Sequence, residues 1–134
     1  MNDLHRFPHG FLWGAATSAH QTEGDNTNSN WWHLETAANS PFKERSGRGV
    51  DAYHRYREDM RLLADAGLDS YRFSIEWARI EPRPGEFSAE ALVHYRDMIE
   101  TAFEFGITPV VTLHHFTNPL WFSQCGGWTA PDAA

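Results

Sequence analysis

The chain has 134 residues, of which 41% are hydrophobic and 22% charged, with a formal net charge of −7 at pH 7, as expected for a folded protein of one domain or part of one. The acidic balance argues against nucleic acid as a partner, and the single cysteine, Cys125, excludes an intrachain disulfide. No apolar run approaches the ~20 residues of a membrane span and residues 1–6 lack the apolar core of a secretory signal, so we expect a cytoplasmic protein without a membrane partner.

The first half of the chain predicts a strand, a long loop and a helix. Residues 11–19 are small and apolar around Gly14, which is typical of a closely packed strand. Residues 25–49 are polar without a sustained period, which predicts a long connection with a helical turn around residues 31–38. From Val50 the apolar spacing is helical, and Gly67 supplies the left-handed residue that ends the helix. The apolar positions of this helix are Tyr53, Tyr56, Met60 and Leu63.

A second strand is predicted over residues 68–80, where apolar and polar residues alternate. Its apolar face carries Tyr71, Phe73, Ile75 and Trp77, and its polar face carries Arg72, Ser74 and Glu76.

The second half of the chain repeats the order of helix and strand. Ser88 is the expected N-cap of a helix that Gly106 ends, and residues 107–113 form a third, β-branched strand. The apolar stripe of this helix is Leu92, Tyr95, Met98, Ile99 and Ala102. Because Gly67 and Gly106 each end a helix just before a strand, the pattern predicts a parallel sheet with right-handed crossovers.

The polar face of the second strand favours a closed barrel over an open sheet, whose central strands are apolar on both faces. No Gly-x-Gly-x-x-Gly follows the first strand, so a dinucleotide-binding fold loses its main support. A (β/α)₈ barrel needs about 250 residues. We therefore expect an α/β fold that is a partial (β/α)₈ TIM barrel, with the first three strands and two helices.

Active sites of such barrels lie at the carboxyl ends of the strands, where this chain places several polar residues. They are Gln21, Glu23, Glu76, Arg79, His114 and His115.

Three chemistries are compatible with these residues. A metal site would use His20, a carboxylate and one of His114 and His115, whose side chains point to opposite faces of an extended chain. Glu23 and Glu76 could act as an acid/base pair on a glycosidic bond, or Glu23 could instead accept hydrogen bonds from the backbone or from an arginine. Gln21 and His115 could hold a sugar without catalysis, in a chain whose aromatic residues, 14% of the total, often sit in polar company.

Four motifs, in order along the chain, match a known family. They are FLWGAATSAHQTEG at residues 11–24, YRFSIEWARI at 71–80, TLHHFTNP at 112–119 and GGW at 126–128. Together they resemble glycoside hydrolase family 1, the retaining β-glucosidases and β-galactosidases, from about Phe7 to the last residues. Asp25 departs from the pattern, because a small residue usually follows Glu-Gly there.

The resemblance implies a site for a β-glycoside or small oligosaccharide, with no cofactor and no metal. Gln21 and His115 match residues that contact the sugar in the −1 subsite, and Phe116 takes a sugar-stacking place that is often Trp. Arg72 matches the arginine that lies beside the catalytic nucleophile and keeps it ionised. Glu23 and Glu76 match positions that the family does not use for acid/base or nucleophilic catalysis.

The resemblance places the acid/base in a Thr-x-Asn-Glu-Pro motif on strand four and the nucleophile in a Thr-Glu-Asn-Gly motif on strand seven. Neither motif occurs in the chain. We therefore expect residues 1–134 to be the N-terminal part of one family 1 catalytic barrel, ending where Thr129 would cap a third helix. We expect this chain to be inactive alone and to need a complementing C-terminal piece. The alternatives are a degenerate sugar-binding module without catalysis and a metal-dependent hydrolase of another barrel family.

Overall fold

A three-stranded parallel sheet in the order β1-β2-β3 organises the molecule. The structure is a computed structural model that describes residues 6–131 and 133. Its strands are β1 (Gly14–Ala16), β2 (Ser70–Ser74) and β3 (Thr108–Thr112). Its helices are α1 (Ala19–Thr22), α2 (Asn30–Thr36), α3 (Ala52–Asp65), α4 (Trp77–Ile80), α5 (Ala89–Glu104) and α6 (Leu120–Gln124), followed by a 3₁₀ helix at Gly127–Thr129.

The two long helices, α3 and α5, begin and end where local signals predict. The Ser88 hydroxyl caps α5 by accepting a hydrogen bond from the backbone N–H of Ala91 at 3.1 Å. Gly67 and Gly106 follow α3 and α5 with φ of +79° and +71°, a conformation that glycine adopts without steric cost. The predicted order of helix, glycine and parallel strand is confirmed in both units.

The core lies between one face of the sheet and helices α3 and α5. Its buried members are Met60, Tyr71, Phe73, Ala91, Tyr95, Met98, Ala102 and Ile107. The prediction for Leu92 is wrong, because its side chain is 48% exposed. The buried stripe of α5 runs through Ala91, Tyr95, Met98 and Ala102, so Leu92 falls beside it and points outward.

The opposite face of the sheet carries the polar residues of β2. Arg72 pairs in register with Val110 of β3, and Ser74 with Thr112. Tyr71 and Phe73 are buried in the core, while Arg72 on the other face is only partly buried. The predicted contrast between the two faces of β2 is therefore confirmed for these residues, although Ser74 is also buried. Gly14 of β1 is required for close strand approach, because a Cβ there would lie 2.2 Å from the Ser70 Oγ.

Two predicted strands are shorter than expected, because a side chain that accepts a hydrogen bond from a backbone N–H starts a short helix soon after each of them. The first ends at Ala16 rather than residue 19: the Ser74 hydroxyl accepts from the N–H of Ala19 at 2.7 Å, where α1 begins. The second ends at Ser74 rather than residue 80, because Glu76 caps α4 by accepting from the N–H of Ala78 at 3.2 Å. Trp77 is therefore helical and packs on Trp121 and Phe122 instead of the strand's apolar face.

The loop between α1 and α3 is closed at its base. Gly24 has φ of +83° and lies so near Arg48 that a Cβ on it would be 2.0 Å from the Arg48 carbonyl oxygen. Asp25, in the left-handed region with φ of +48°, donates its N–H to the Gly47 carbonyl at 2.7 Å. Helix α2 confirms the helical turn that was predicted within this loop.

Two predictions fall partly or wholly outside the described residues. Most of the N-terminal segment considered for a secretory signal lies in residues 1–5, and a helix after Thr129 would include residues 132 and 134. Thr129 itself ends the 3₁₀ helix and donates its hydroxyl to the Gly126 carbonyl at 2.8 Å. Within the described part of the chain, no helix has the length and apolarity needed to cross a membrane.

Candidate functional site

A cavity of about 70 Å³ lies at the carboxyl ends of β1 and β3. Helix α1 and the residue before it, helix α2 and the loop after β3 all contribute to its wall. The lining residues are Ser18, His20, Gln21, Trp31, His115, Phe116 and Thr117. The structure thus brings Gln21 next to His115 and Phe116, which follow it by more than ninety residues in the sequence.

Gln21 projects from α1 with its amide held in one orientation. The buried Ser18 hydroxyl donates to the Gln21 Oε1 at 2.5 Å, and the Gln21 side chain is otherwise exposed. This contact leaves both N–H groups of the amide and one oxygen lone pair available to a ligand.

His115 follows β3 and contacts Arg72 of β2. The Arg72 Nη2 lies 2.9 Å from the His115 Nδ1, and the Arg72 Nε donates to the Thr112 Oγ1 at 2.9 Å. Arg72 therefore lies behind His115 rather than in the wall of the cavity.

Aromatic rings form the apolar side of the cavity. Phe116 is 67% exposed, and its ring stacks on that of Trp31 with centroids 5.8 Å apart and planes inclined by 22°. Phe116 also has φ of +64°, a strained conformation for a bulky residue that is typical of functional positions. Trp31 was not among the predicted site residues, although its signal is in the sequence: two adjacent tryptophans, Trp31 and Trp32, stand in a polar loop.

Glu23 is buried in a network below the cavity and does not line it. It accepts hydrogen bonds from the Arg79 Nε at 2.9 Å and from the Tyr95 hydroxyl at 2.9 Å. Burial raises the pKa of Glu23 to about 7, against the opposing charge of Arg79. The Arg79 Nη2 also donates to the carbonyl of Gly24 at 2.5 Å, so this arginine fastens the start of the long loop.

Glu76 is equally buried and has partners of its own. Its carboxylate accepts from the Asn26 Nδ2 at 2.7 Å, from the Thr117 hydroxyl at 2.8 Å and from the N–H of Ala78 at 3.2 Å. Because neither Glu23 nor Glu76 faces the cavity, they are not arranged as an acid/base pair on a ligand there. The alternative in which Glu23 accepts hydrogen bonds from an arginine is the one observed.

The histidines do not gather around a common point. His114 faces Asn118, with the His114 Nε2 3.1 Å from the Asn118 Oδ1, while His115 faces Arg72. The expected divergence of these neighbours is therefore confirmed. His20 is buried next to Glu35, at 3.8 Å. In residues 6–131 and 133, no three His, Cys, Asp or Glu side chains come together as a metal site would require.

Comparison with known proteins identifies the family of the chain. The model for Glycosyl hydrolase family 1 matches residues 4–134. The chain belongs to glycosyl hydrolase family 1. This membership confirms the resemblance carried by the four motifs, and it rules out the alternative of a metal-dependent hydrolase from another barrel family.

Curated and solved members of glycosyl hydrolase family 1 resemble the chain along nearly all of its length. Coniferin β-glucosidase of Pinus contorta is 40% identical over 137 residues, which cover 96% of this chain and 27% of that protein. The crystal structure of β-glycosidase BGL167 is 56% identical with a TM-score of 0.92, covering 93% of this chain and 30% of that one. The β-glucosidase of Thermotoga maritima in complex with deoxynojirimycin is 37% identical with a TM-score of 0.84, covering 91% and 30%.

The chain spans between 25% and 34% of the length of the curated relatives it matches. Its three parallel strands and their helices match the N-terminal part of the (β/α)₈ barrels of glycosyl hydrolase family 1. The predicted fold class is therefore confirmed.

Proposed function

We propose that this chain forms part of the −1 sugar subsite of a retaining β-glycosidase that hydrolyses terminal, non-reducing β-D-glycosyl residues. Gln21, His115 and Phe116 contact the sugar. The observation that carries the proposal is the cavity these residues share at the carboxyl ends of two parallel strands, where barrel enzymes bind their substrates.

The chemistry of the cavity suits a pyranose ring, which has hydroxyls around its rim and C–H groups on its faces. The Gln21 amide can donate to and accept from hydroxyls, and His115 adds a ring nitrogen. The stacked rings of Phe116 and Trp31 offer an apolar surface to the C–H groups. The relative from Thermotoga maritima binds deoxynojirimycin, a sugar-like ring, which supports a ligand of this class.

Arg72 is proposed to hold the catalytic nucleophile ionised. Two of its five N–H donors contact Thr112 and His115, and the other three have no acceptor among the described residues. These donors and the positive charge would stabilise a carboxylate beside them and lower its pKa. Thr-x-Asn-Glu-Pro and Thr-Glu-Asn-Gly do not occur in the 134 residues. The acid/base and the nucleophile must therefore come from a complementing C-terminal piece, and residues 1–134 form one part of a single catalytic barrel.

A hybrid barrel tests this proposal. In the hybrid, this chain replaces the matching N-terminal segment of β-glycosidase BGL167. We expect the hybrid to hydrolyse an aryl β-glucoside and the 134-residue chain alone to give no turnover. Gln21→Ala should lower kcat/KM of the hybrid at least about tenfold, since loss of about 1.4 kcal/mol of transition-state binding costs that factor.

The control is Arg61→Ala, an exposed position on α3, which should leave kcat/KM unchanged. A folded hybrid that binds deoxynojirimycin without hydrolysing the glucoside would favour the degenerate sugar-binding module. Full activity in Gln21→Ala would contradict the assignment of that residue. The cytoplasmic location expected from the sequence stays a prediction.

A further inference from the structure

We propose that Arg72 is a positioning residue for His115: it holds the ring in the tautomer with its proton on Nε2, so that His115 acts as a hydrogen-bond donor to the sugar. The statement about the sugar rests on the proposed function. The statement about the tautomer rests on the contacts between Arg72 and His115 alone.

The donor inventory of the two side chains determines which nitrogen of His115 is protonated. A guanidinium carries five N–H donors and no acceptor, and it stays charged in proteins. The Arg72 Nη2, 2.9 Å from the His115 Nδ1, can only donate, so that nitrogen must present its lone pair. In a neutral imidazole the proton is then on Nε2. The other tautomer would set two N–H groups against each other at hydrogen-bond distance.

Arg72 is anchored by the sheet, whereas His115 lies in the loop after β3. Arg72 pairs with Val110 in the parallel register, and Thr112 lies two residues further along β3 on the same face. The hydrogen bond from the Arg72 Nε to the Thr112 Oγ1 at 2.9 Å fixes the plane of the guanidinium. Two neighbouring strands therefore hold the group that orients the loop histidine.

The outer edge of the His115 ring is available to a ligand. His115 lines the cavity with Gln21 and Phe116, and the structure gives its Nε2 no hydrogen-bond partner among the described residues. Donation from Nε2 requires a lone pair on the ligand, which every sugar hydroxyl offers. The geometry therefore gives His115 the role of donor, while the Gln21 amide can serve in either role.

Nitrogen NMR tests the positioning role without any sugar. We would record ¹⁵N spectra of the hybrid barrel without any ligand, with His115→Gln to identify the His115 signals. We expect an unprotonated Nδ1, a protonated Nε2, and a scalar coupling across the N–H···N bond between the Arg72 Nη2 and the His115 Nδ1. In Arg72→Met the coupling should vanish and the Nδ1 signal should shift. Arg72→Lys, which keeps a donor-only cation, should restore part of the shift.

A double-mutant comparison in the hybrid tests the consequence for catalysis. If Arg72 acts through His115, His115→Gln should lower kcat/KM about tenfold in the unmodified hybrid but at most about threefold in Arg72→Met. Arg61→Met is the control for loss of an exposed arginine and should leave both the spectra and kcat/KM unchanged.

The two proposals fail in different ways. A protonated Nδ1, absence of the coupling, or unchanged His115 signals in Arg72→Met would overturn the positioning role, whatever the hybrid does to glucosides. Equal tenfold losses from His115→Gln in both backgrounds would overturn its catalytic consequence. A hybrid that shows the coupling but neither binds deoxynojirimycin nor hydrolyses the glucoside would contradict the proposed function. The tautomer assignment would still be supported by the coupling.

Discussion

Two ionisable side chains, the buried Glu23 and the partly buried His94, make contributions to stability whose pH dependences have opposite signs. Burial raises the pKa of Glu23 to about 7, so its contribution is present in acid and is lost as the pH rises from about 4.5 towards 7. Burial, with the charges of Arg79 and His54, lowers the pKa of His94 to about 4. The fold therefore disfavours the charged form of His94, whose contribution is lost as the pH falls from 6.5 towards 4.

Replacing His94 by a ring that does not titrate should separate these two effects. The His94 ring stacks on Tyr53 with centroids 3.7 Å apart, a contact that phenylalanine can keep. We expect His94→Phe in the hybrid barrel to reduce the fall in Tm between pH 6.5 and pH 4, because no imidazolium has to form in the packed helix interface. Thermal melts at half-unit pH intervals measure this. The control is Leu92→Phe, at an exposed position of the same helix, which should keep the original pH dependence. A fall in Tm of the same size in His94→Phe would contradict the assignment.

At the residue scale, the sequence motifs predicted which side chains meet but not all of the cavity wall. Gln21 and His115 follow strand ends, and parallel strands bring such ends to one edge. Trp31 reaches the cavity because tertiary contacts fix its loop, among them the approach of Gly24 to Arg48 and the hydrogen bond from the Asp25 N–H to the Gly47 carbonyl. These contacts join residues more than twenty positions apart, so no local sequence pattern predicts them.

At the scale of elements, the two long helices were predicted well, whereas the strand ends and the short helices α1, α4 and α6 were not. The ends of α3 and α5 depend on Gly67, Ser88 and Gly106, whose effects are local and can be read from the sequence. The ends of β1 and β2 depend on the hydrogen bond from Ala19 to Ser74 and on the buried Glu76, which are tertiary contacts. Apolar and polar residues alternate up to residue 80 in the sequence, but the last of them, Trp77–Ile80, form a helix instead of a strand.

The closed base of the long loop can be tested at Gly24. Gly24→Ala adds a Cβ that would meet the Arg48 carbonyl oxygen at 2.0 Å, in addition to the cost of φ at +83°. Gly85 is a matched control, because its φ is +74° and a Cβ there meets nothing within 4 Å. We expect Gly85→Ala to destabilise the hybrid by about 1 kcal/mol from backbone strain, and Gly24→Ala by several times more.

The readouts for the glycine pair are Tm and the binding of deoxynojirimycin. Opening the base of the loop should displace Trp31 and weaken the binding in Gly24→Ala, while Gly85→Ala should bind normally. Equal effects of the two substitutions on both measurements would show that backbone strain alone matters and that the contact with Arg48 does not.

At the scale of the whole molecule, the polypeptide exposes surfaces that a complete barrel would cover. Among the described residues, β1 and β3 each pair with β2 alone, so each has an open edge. Leu113 is 73% exposed, Phe116 67% and Val110 45% at or near the β3 edge. Open strand edges flanked by apolar side chains template association with other chains. We therefore expect the 134-residue chain to be aggregated or poorly stable alone, and soluble when it is expressed with a complementing C-terminal piece.

A pair of substitutions of similar exposure can show whether the open sheet causes this behaviour. Val110→Glu puts a carboxylate on the exposed face of β3, where it lies beside Arg72 in register, and Leu92→Glu puts one on the outer surface of α5 at 48% exposure. Both add one negative charge, so a general effect of net charge on solubility would act equally. We expect Val110→Glu to increase the monomer fraction, measured by size-exclusion chromatography with light scattering, and Leu92→Glu to change it little. A wild-type monomer with a sharp, reversible thermal melt would contradict the expectation, because a sheet with two open edges would then be sufficient for an independent fold.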